Sequence, residues 1–502
     1  MMTALYTGTT GMKSFGVGMS SLSNNIANLN TLAFKKAMTI YSDNISQTVN
    51  SSHSNGVTEH SQLGMGVSVS VNRTMHQQGS FMQGSSPTDL AIDGKGFFGV
   101  QKNGVTQYTR AGNFRFTSEG SLIDPNGYSL LGYKMENGVA STTLSPISMD
   151  FGTSGQGYMA PKATTAVSLI QNLGQRDSAN SDPANPFFGM AVKWNGTQNP
   201  PLAASQYGGV TPTVVYDSNG VAQTINVYTD YVGQFNGKHV YQYVMGTDPA
   251  KDGSAQAGTA AAGILAAGTF TFSSNGQIQD MTMFTPPGSG TTSDMSAWLP
   301  ASFDASGNPA VPVTFKGAGA QSIGFNFGME MSGAWTAGYA SAADVNADPS
   351  GLYSGQGRPL YPTSSTSYQG STGTLSTSQD GYAAGYLKDM TIGTDGIMTG
   401  RYSNGETMDL FQIPIYRFMN EEGLRHEGGN RYTATKESGA AEEGLPGTEN
   451  YGNLHEASLE QSNVDLASEF TTMILTQRGF QINSKVVTTS DQMLQKALEL
   501  KR

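Results

Sequence analysis

The sequence predicts a mainly β protein, with nested all-β domains inserted between N- and C-terminal α-helices that form a coiled-coil-like inner core. Three observations predict it. Apolar residues recur every seven positions at both ends, Asn-Gly and Asp-Gly dipeptides punctuate the middle, and only 13% of the chain is charged. That charged share is about half the usual ~25%, and Gly, Ser, Thr, Asn and Gln stand in its place. Polar turn-formers without high charge favour tight β connections over charged disorder.

The N-terminal helix is read from Leu5, Met12, Met19 and Ile26, with Phe15, Leu22 and Leu29 three residues further on and Gly8 the gap in the second row. Two rows at that spacing form an a/d seam. The C-terminal helix repeats the pattern with Leu466, Met473, Phe480, Val487 and Leu494, beside a weaker row of Phe470, Gln477, Ser484, Asp491 and Leu498. Asn463 and Asp465 are candidate caps at its start, and Lys501 with Arg502 suits the negative end of its dipole.

Residues 1–34 carry no charge other than Lys13. A coiled coil standing in water displays charged e and g positions; this helix displays Ser, Thr, Gly and Asn, which let neighbouring backbones approach closely. Seven or eight apolar side chains do not offset the entropy of ordering so long a segment. The helix is therefore expected to take its neighbours from other helices, and both ends of an isolated chain to be unstable.

Between the ends, Asn103-Gly104, Asn126-Gly127, Asn137-Gly138, Asn219-Gly220, Asn275-Gly276, Asp395-Gly396 and Asn404-Gly405 separate stretches such as 107–116 and 224–231, rich in aromatic and β-branched residues. Such dipeptides accept the positive φ of two-residue hairpins. The 502 residues leave room for about three or four domains. Composition divides them into a helical core of 1–30 with 463–502, a polar connector over 31–75, an inner β domain of 76–150 with 366–450, and one or more outer β domains over 151–365. Nesting of this kind brings the two ends of each inserted domain together.

Several function classes fall away. A net charge of −11 without a basic run excludes a phosphate-neutralising nucleic-acid surface and is a poor match to anionic membranes. The chain has no cysteine, so disulfides and thiolate chemistry are absent. The opening, MMTALYTGTTGMK, lacks a basic start followed by an apolar block, so export would use a route without a cleaved signal peptide. The most apolar run, around 260–267, is too short to span a bilayer.

Local motifs yield no chemistry. Gly94-Lys95-Gly96-Phe97-Phe98-Gly99 matches G-x-G-x-x-G, but a hairpin rather than a helix follows, so the glycines read as a β corner. Asp344, Asn346 and Asp348 alternate like a calcium loop, yet Pro349 replaces its glycine and Gly355 its closing glutamate. His53, His60, His76, His239, His426 and His455 form no ligand pair, and Glu421-Glu422 and Glu442-Glu443 read as solvated loop charge. No catalytic residue, cofactor or metal is expected.

The motifs at the two ends carry a resemblance. "SSLSNNIANLNTLAFKK" is similar to the N-terminal signature of the bacterial flagellar rod–hook axial proteins, with Asn24, Asn25, Ala27, Asn28, Asn30, Thr31, Phe34 and Lys35 at motif positions. That family favours a glycine before the aromatic where this chain has Leu32 and Ala33. "LEQSNVDLASEFTTMILTQRGFQINSK", from Leu459, resembles the family's C-terminal helix, and the segments around 89–133 and 378–410 resemble its inner β domain. The long segment 151–365 implies the hook type of member.

The resemblance implies a structural protein that polymerises into a hollow, curved, bendable tube and transmits torque from rod to filament. It implies that Leu5, Met12, Phe15, Met19, Leu22, Ile26 and Leu29, with Leu466, Phe470, Met473, Phe480, Val487, Leu494 and Leu498, form the polymerisation interface. The asparagines are expected to stop the inner helix and turn the chain outward. The implied partners are further copies of the chain, distal rod and hook–filament junction proteins, a hook cap during assembly and the flagellar export apparatus, with no nucleic acid and no membrane insertion. The implied location is the flagellar hook, outside the cell. The alternatives are a distal rod subunit or a secreted β-rich adhesin or binding module.

Overall fold

The computed structural model describes residues 2–52, 58–136, 138–150, 155, 157–175, 182–288, 291–355, 357–448 and 450–499. His53, Asn137, Lys501 and Arg502 lie outside the described residues, as do parts of the segments 31–75 and 151–365. The chain forms two compact units. One comprises Met1–Gly157, Leu387–Tyr402 and Thr407–Arg502, the other Tyr158–Tyr386 and Ser403–Glu406.

In the first unit, a helix over Met2–Ala27 packs against a helix over Leu466–Glu499. Asp465 caps the second: its carboxylate accepts the N–H groups of Ala467 and Ser468 at 2.9 and 3.4 Å. Asn463, the other candidate cap, is used elsewhere. The polar stretch read as a connector is a β ribbon: Ala37–Asp43 pairs antiparallel with Val67–Thr74, and Gln47–Ser52 with Thr58–Leu63. Apolar residues alternate on both strands, as Met38 and Ile40 and as Val67, Val69 and Val71, but the runs are short and sit among polar residues, so the segment reads as a connector by composition.

The β core of this unit interleaves strands from both sides of the insertion. Thr407–Gln412 lies beside Ser129–Glu136, which lies beside Phe97–Lys102; Val105–Thr109 follows and pairs with Arg431–Thr433. Phe98, Val100, Leu130 and Ile147 from the first half pack with Met398, Leu410, Ile413 and Ile415 from the second, all essentially inaccessible to water. At the G-x-G-x-x-G stretch, Gly94 and Gly96 take φ of 107° and 136°, which L residues avoid. The strand then sends Phe97 into one apolar cluster and Phe98 into the other, by the two-residue period of a pleat. Glu442–Gly444, read as loop, is a strand paired with Ile415–Arg417.

The second unit is a two-sheet sandwich. Gly209–Tyr216, Ala222–Phe235, Lys238–Thr247, Ile264–Phe272 and Ile278–Thr285 form an antiparallel meander in chain order. The apolar run near 260–267 enters Ile264–Phe272, a strand buried along its whole length. The other sheet centres on Ala166–Gly174, and Tyr241, Phe270 and Met283 meet Leu169, Val311 and Phe325 between the layers. Thr366–Tyr368 and Gly373–Gln379 also pair with Ala166–Gly174. Residues 366–386, grouped by composition with the inner domain, therefore belong here; pairing across so long a separation leaves no trace in local composition. Asp344 caps the short helix Ala342–Ala347 by accepting the N–H groups of Ala340 and Ser341 at 3.0 and 2.9 Å, and no calcium-type loop forms there.

Candidate assembly surface

On the N-terminal helix the buried residues are Gly8, Gly11, Ser14, Gly18, Ser21 and Asn25, none bulky. They face the C-terminal helix and the ribbon. A Cβ on Gly8 would sit 2.9 Å from Val487, and one on Gly11 would sit 2.7 Å from the Asn483 side chain. Ser14 donates to the Val67 carbonyl at 3.1 Å, and Ser21 to the Asn72 side chain at 3.1 Å. On the C-terminal helix the buried residues are Glu469, Thr476 and Ser490. The intramolecular seam thus joins bare backbone, hydroxyls, amides and the Glu469 carboxylate, with Val487 packed on Gly8 and the Phe15 ring on Gly479.

The apolar residues point elsewhere. Leu466, Phe470, Phe480 and Leu498 of the heptad rows are exposed, and so are Ile474, Leu475, Ile482 and Met493; Leu475, Ile482 and Leu498 expose 65%, 64% and 70% of their surface. Met473, Val487 and Leu494 are half-buried, as are Leu5, Met12, Phe15, Met19, Leu22, Ile26 and Leu29, the last lying beyond the end of its helix. On the C-terminal helix the fully buried residues are polar, and most of the large apolar side chains are exposed. Of these, Leu475, Ile482, Val486 and Met493 recur on one side of the helix.

The sequence motifs at the two ends meet at the base of the helices. Asn25 bridges the turn. Its Oδ1 accepts the Ala37 N–H at 2.9 Å, and its Nδ2 donates to the Ala37 carbonyl at 2.8 Å and to Glu469 at 3.1 Å. Asn28 closes the helix end by donating to the Asn24 carbonyl at 2.9 Å, and Thr31 donates to Asn28 Oδ1 at 3.1 Å. Asn24, Ala27 and Asn30 are exposed. The left-handed residue of the turn is Ala33, at φ 54°, and not an asparagine. A glycine before the aromatic would relieve that strain.

Beyond the turn, Phe34 and Lys35 are buried. Lys35 Nζ lies 2.6 Å from Glu460, both side chains being inaccessible, and donates to the Gln77 carbonyl at 2.7 Å. Arg110 reaches the other Glu460 oxygen at 3.5 Å and donates to the carbonyls of Ile92 and Gly94 at 3.2 and 2.6 Å. Asn463 accepts the Lys36 N–H at 2.8 Å and donates to the Met75 carbonyl at 2.8 Å. Burial lowers the pKa of both Lys35 and Arg110, against the pull of Glu460. His76 beside them is brought down to about 4, first by burial and then by the two cations.

Sequence reasoning took the apolar rows as the surface and missed the small-residue row that packs within the chain. That row was visible as Ala4, Gly11, Gly18 and Asn25, seven apart. Arg110 carried no sequence signal. No group of three or more metal-ligating side chains forms among the described residues, and none of the described helices is long and apolar enough to cross a membrane.

Three family models match the chain. Residues 91–160 match the flagellar hook protein FlgE/F/G D1 domain, residues 172–382 the flagellar basal body protein FlaE D2 domain, and residues 455–500 the C-terminal region of the flagellar basal body rod FlgEFG proteins. The chain is 31% identical to the flagellar hook protein FlgE of Borreliella burgdorferi and 30% identical to that of Treponema pallidum, with all of each chain covered in both cases. It is 28% identical to FlgE of Escherichia coli over 98% of each chain. A crystal structure of Helicobacter pylori FlgE2 aligns at a TM-score of 0.43 and 13% identity, covering 74% of this chain and 99% of that one.

Proposed function

The chain belongs to the flagellar hook protein family, and from that premise we propose that this structural subunit polymerises through the exposed apolar stripe of its C-terminal helix and the half-buried apolar rows of its N-terminal helix. The product is a hollow, curved tube outside the cell that bends as it passes torque from rod to filament. Head-to-tail contacts that do not close generate such tubes. Its 24 methionines and 63 glycines supply contacts that adapt as neighbouring copies shift. The further partners are distal rod and hook–filament junction proteins, a cap at the growing tip and the export apparatus, which takes the chain without a cleaved signal. The role is mechanical rather than catalytic.

One observation carries this reading: the C-terminal helix turns Glu469, Thr476 and Ser490 inward and Leu475, Ile482 and Leu498 outward. Burying one such side chain against a neighbour contributes about 1.5–3 kcal/mol per subunit. Electron microscopy of polymerised protein tests it. Curved tubes are expected from the parent chain, and none from Ile482→Asp at the same concentration with an unchanged thermal transition of the β units. Straight rods from the parent would favour a distal rod role, and normal tubes from Ile482→Asp would remove the stripe from the interface.

A further inference from the structure

We propose that Asn103 and Asn236 are sites of spontaneous deamidation, set apart by the fold from the other Asn-Gly pairs of the chain. In the reaction the backbone nitrogen of the following glycine attacks the asparagine Cγ. The new C–N bond closes a succinimide, the Cγ–Nδ2 bond breaks, and the amide leaves as ammonia. Water then opens the ring at either carbonyl, giving aspartate or isoaspartate. The attacking nitrogen must be free of other engagements, and the side chain free to swing onto it.

The described Asn-Gly pairs divide on this point. At Asn126, Asn219 and Asn275 the glycine N–H is already bonded: Gly127 to the Asp124 carbonyl at 3.0 Å, Gly220 to Asp217 at 2.9 Å, and Gly276 to Ser273 at 3.0 Å. Gly196, after Asn195, donates to Ala260 at 2.8 Å. Asn404 is held by its side chain, which donates to the Ala383 carbonyl at 2.8 Å and accepts the Glu406 N–H at 3.1 Å.

Asn103-Gly104 and Asn236-Gly237 are different. Both form two-residue hairpin turns with positive φ at each residue: 51° and 79° in the first, 48° and 77° in the second. Neither glycine N–H and neither asparagine side chain bonds to any described residue. Both pairs are exposed, and the space where a glycine Cβ would stand is empty at Gly104 and at Gly237. Only the local turn geometry must open for the ring to close.

The product alters the turn itself. Isoaspartate adds a methylene to the main chain of a loop whose length sets the register of its strands. At Asn236 those strands are Ala222–Phe235 and Lys238–Thr247, of 14 and 10 residues. Each event also adds one negative charge to a chain already at −11.

The test is incubation of the full chain at mildly alkaline pH, with peptide mapping by mass spectrometry and isoaspartate detection over time. Asn103 and Asn236 should convert at least about fivefold faster than Asn126, Asn219 and Asn275, the weight of one hydrogen bond of ordinary net strength. The same incubation in denaturant should bring all the pairs to similar rates. Equal rates in the folded chain, or a preference for Asn103 and Asn236 that persists in denaturant, would overturn the assignment.

Discussion

Two cations share one carboxylate at the base of the helices. Lys35 and Arg110 both address Glu460, which is withdrawn from water. Removing that charge while keeping its shape leaves two buried cations uncompensated, so Glu460→Gln should lower stability by about 3–5 kcal/mol, read as a shift in the urea midpoint of the unit containing it. His76 adds a pH dependence. Its folded pKa of about 4 lies below its ordinary 6.5, so the unfolded chain binds the extra proton and the folded one does not. That stabilisation is full above pH 6.5 and is lost as the pH falls toward 4. The span corresponds to about 3 kcal/mol. Denaturation midpoints at several pH values should show this slope in the parent chain and a flatter one in His76→Gln. None of the knot was legible as a contact: Glu460 and Asn463 showed themselves as motif residues, but which groups they meet depends on a chain reversal that periodicity does not encode.

At the scale of the helix pair, packing depends on missing side chains. Gly11→Val places a branched Cβ against Asn483, where even a single carbon would stand 2.7 Å away. The substitution should open the seam, shown by faster proteolytic loss of both terminal helices, while the β transition stays within about 0.5 kcal/mol of the parent, as for changes away from a core. Equal protection of the helices in the two proteins would argue against the seam. Both helices were legible from their seven-residue apolar spacing. Which face packs inward was not, because hydrophobic periodicity scores Gly11, Gly18, Thr476 and Ser490 as gaps, although such residues allow the closest approach. The turn chemistry was legible in part: Asn25 and Asn28 close the helix through side-chain bonds, but the residue that takes the left-handed conformation is Ala33.

At the scale of the whole molecule, the second unit is an insertion whose ends lie side by side. The Leu387 N–H donates to the Gly157 carbonyl at 3.0 Å, so the segment 158–386 leaves and re-enters the first unit across one hydrogen bond. Replacing residues 158–386 with a short glycine-rich link should leave a chain that unfolds in one cooperative transition with the core of the first unit intact, measured by calorimetry and near-UV circular dichroism. A molten product would show that the core of the first unit depends on the insertion. The nesting itself was legible, because β-prone segments flank a compositionally different middle; the placement of 366–386 was not, because Gly373–Gln379 finds its partner at Ala166–Gly174. One consequence follows from the seam of small and polar groups between the terminal helices, where few bulky side chains meet. Water can replace the hydrogen-bonded part of such a zipper, so parting the two rods uncovers mainly Val487 and the Phe15 ring as grease. A clasp of this kind can part and close again while the β strands beside it keep their pairing.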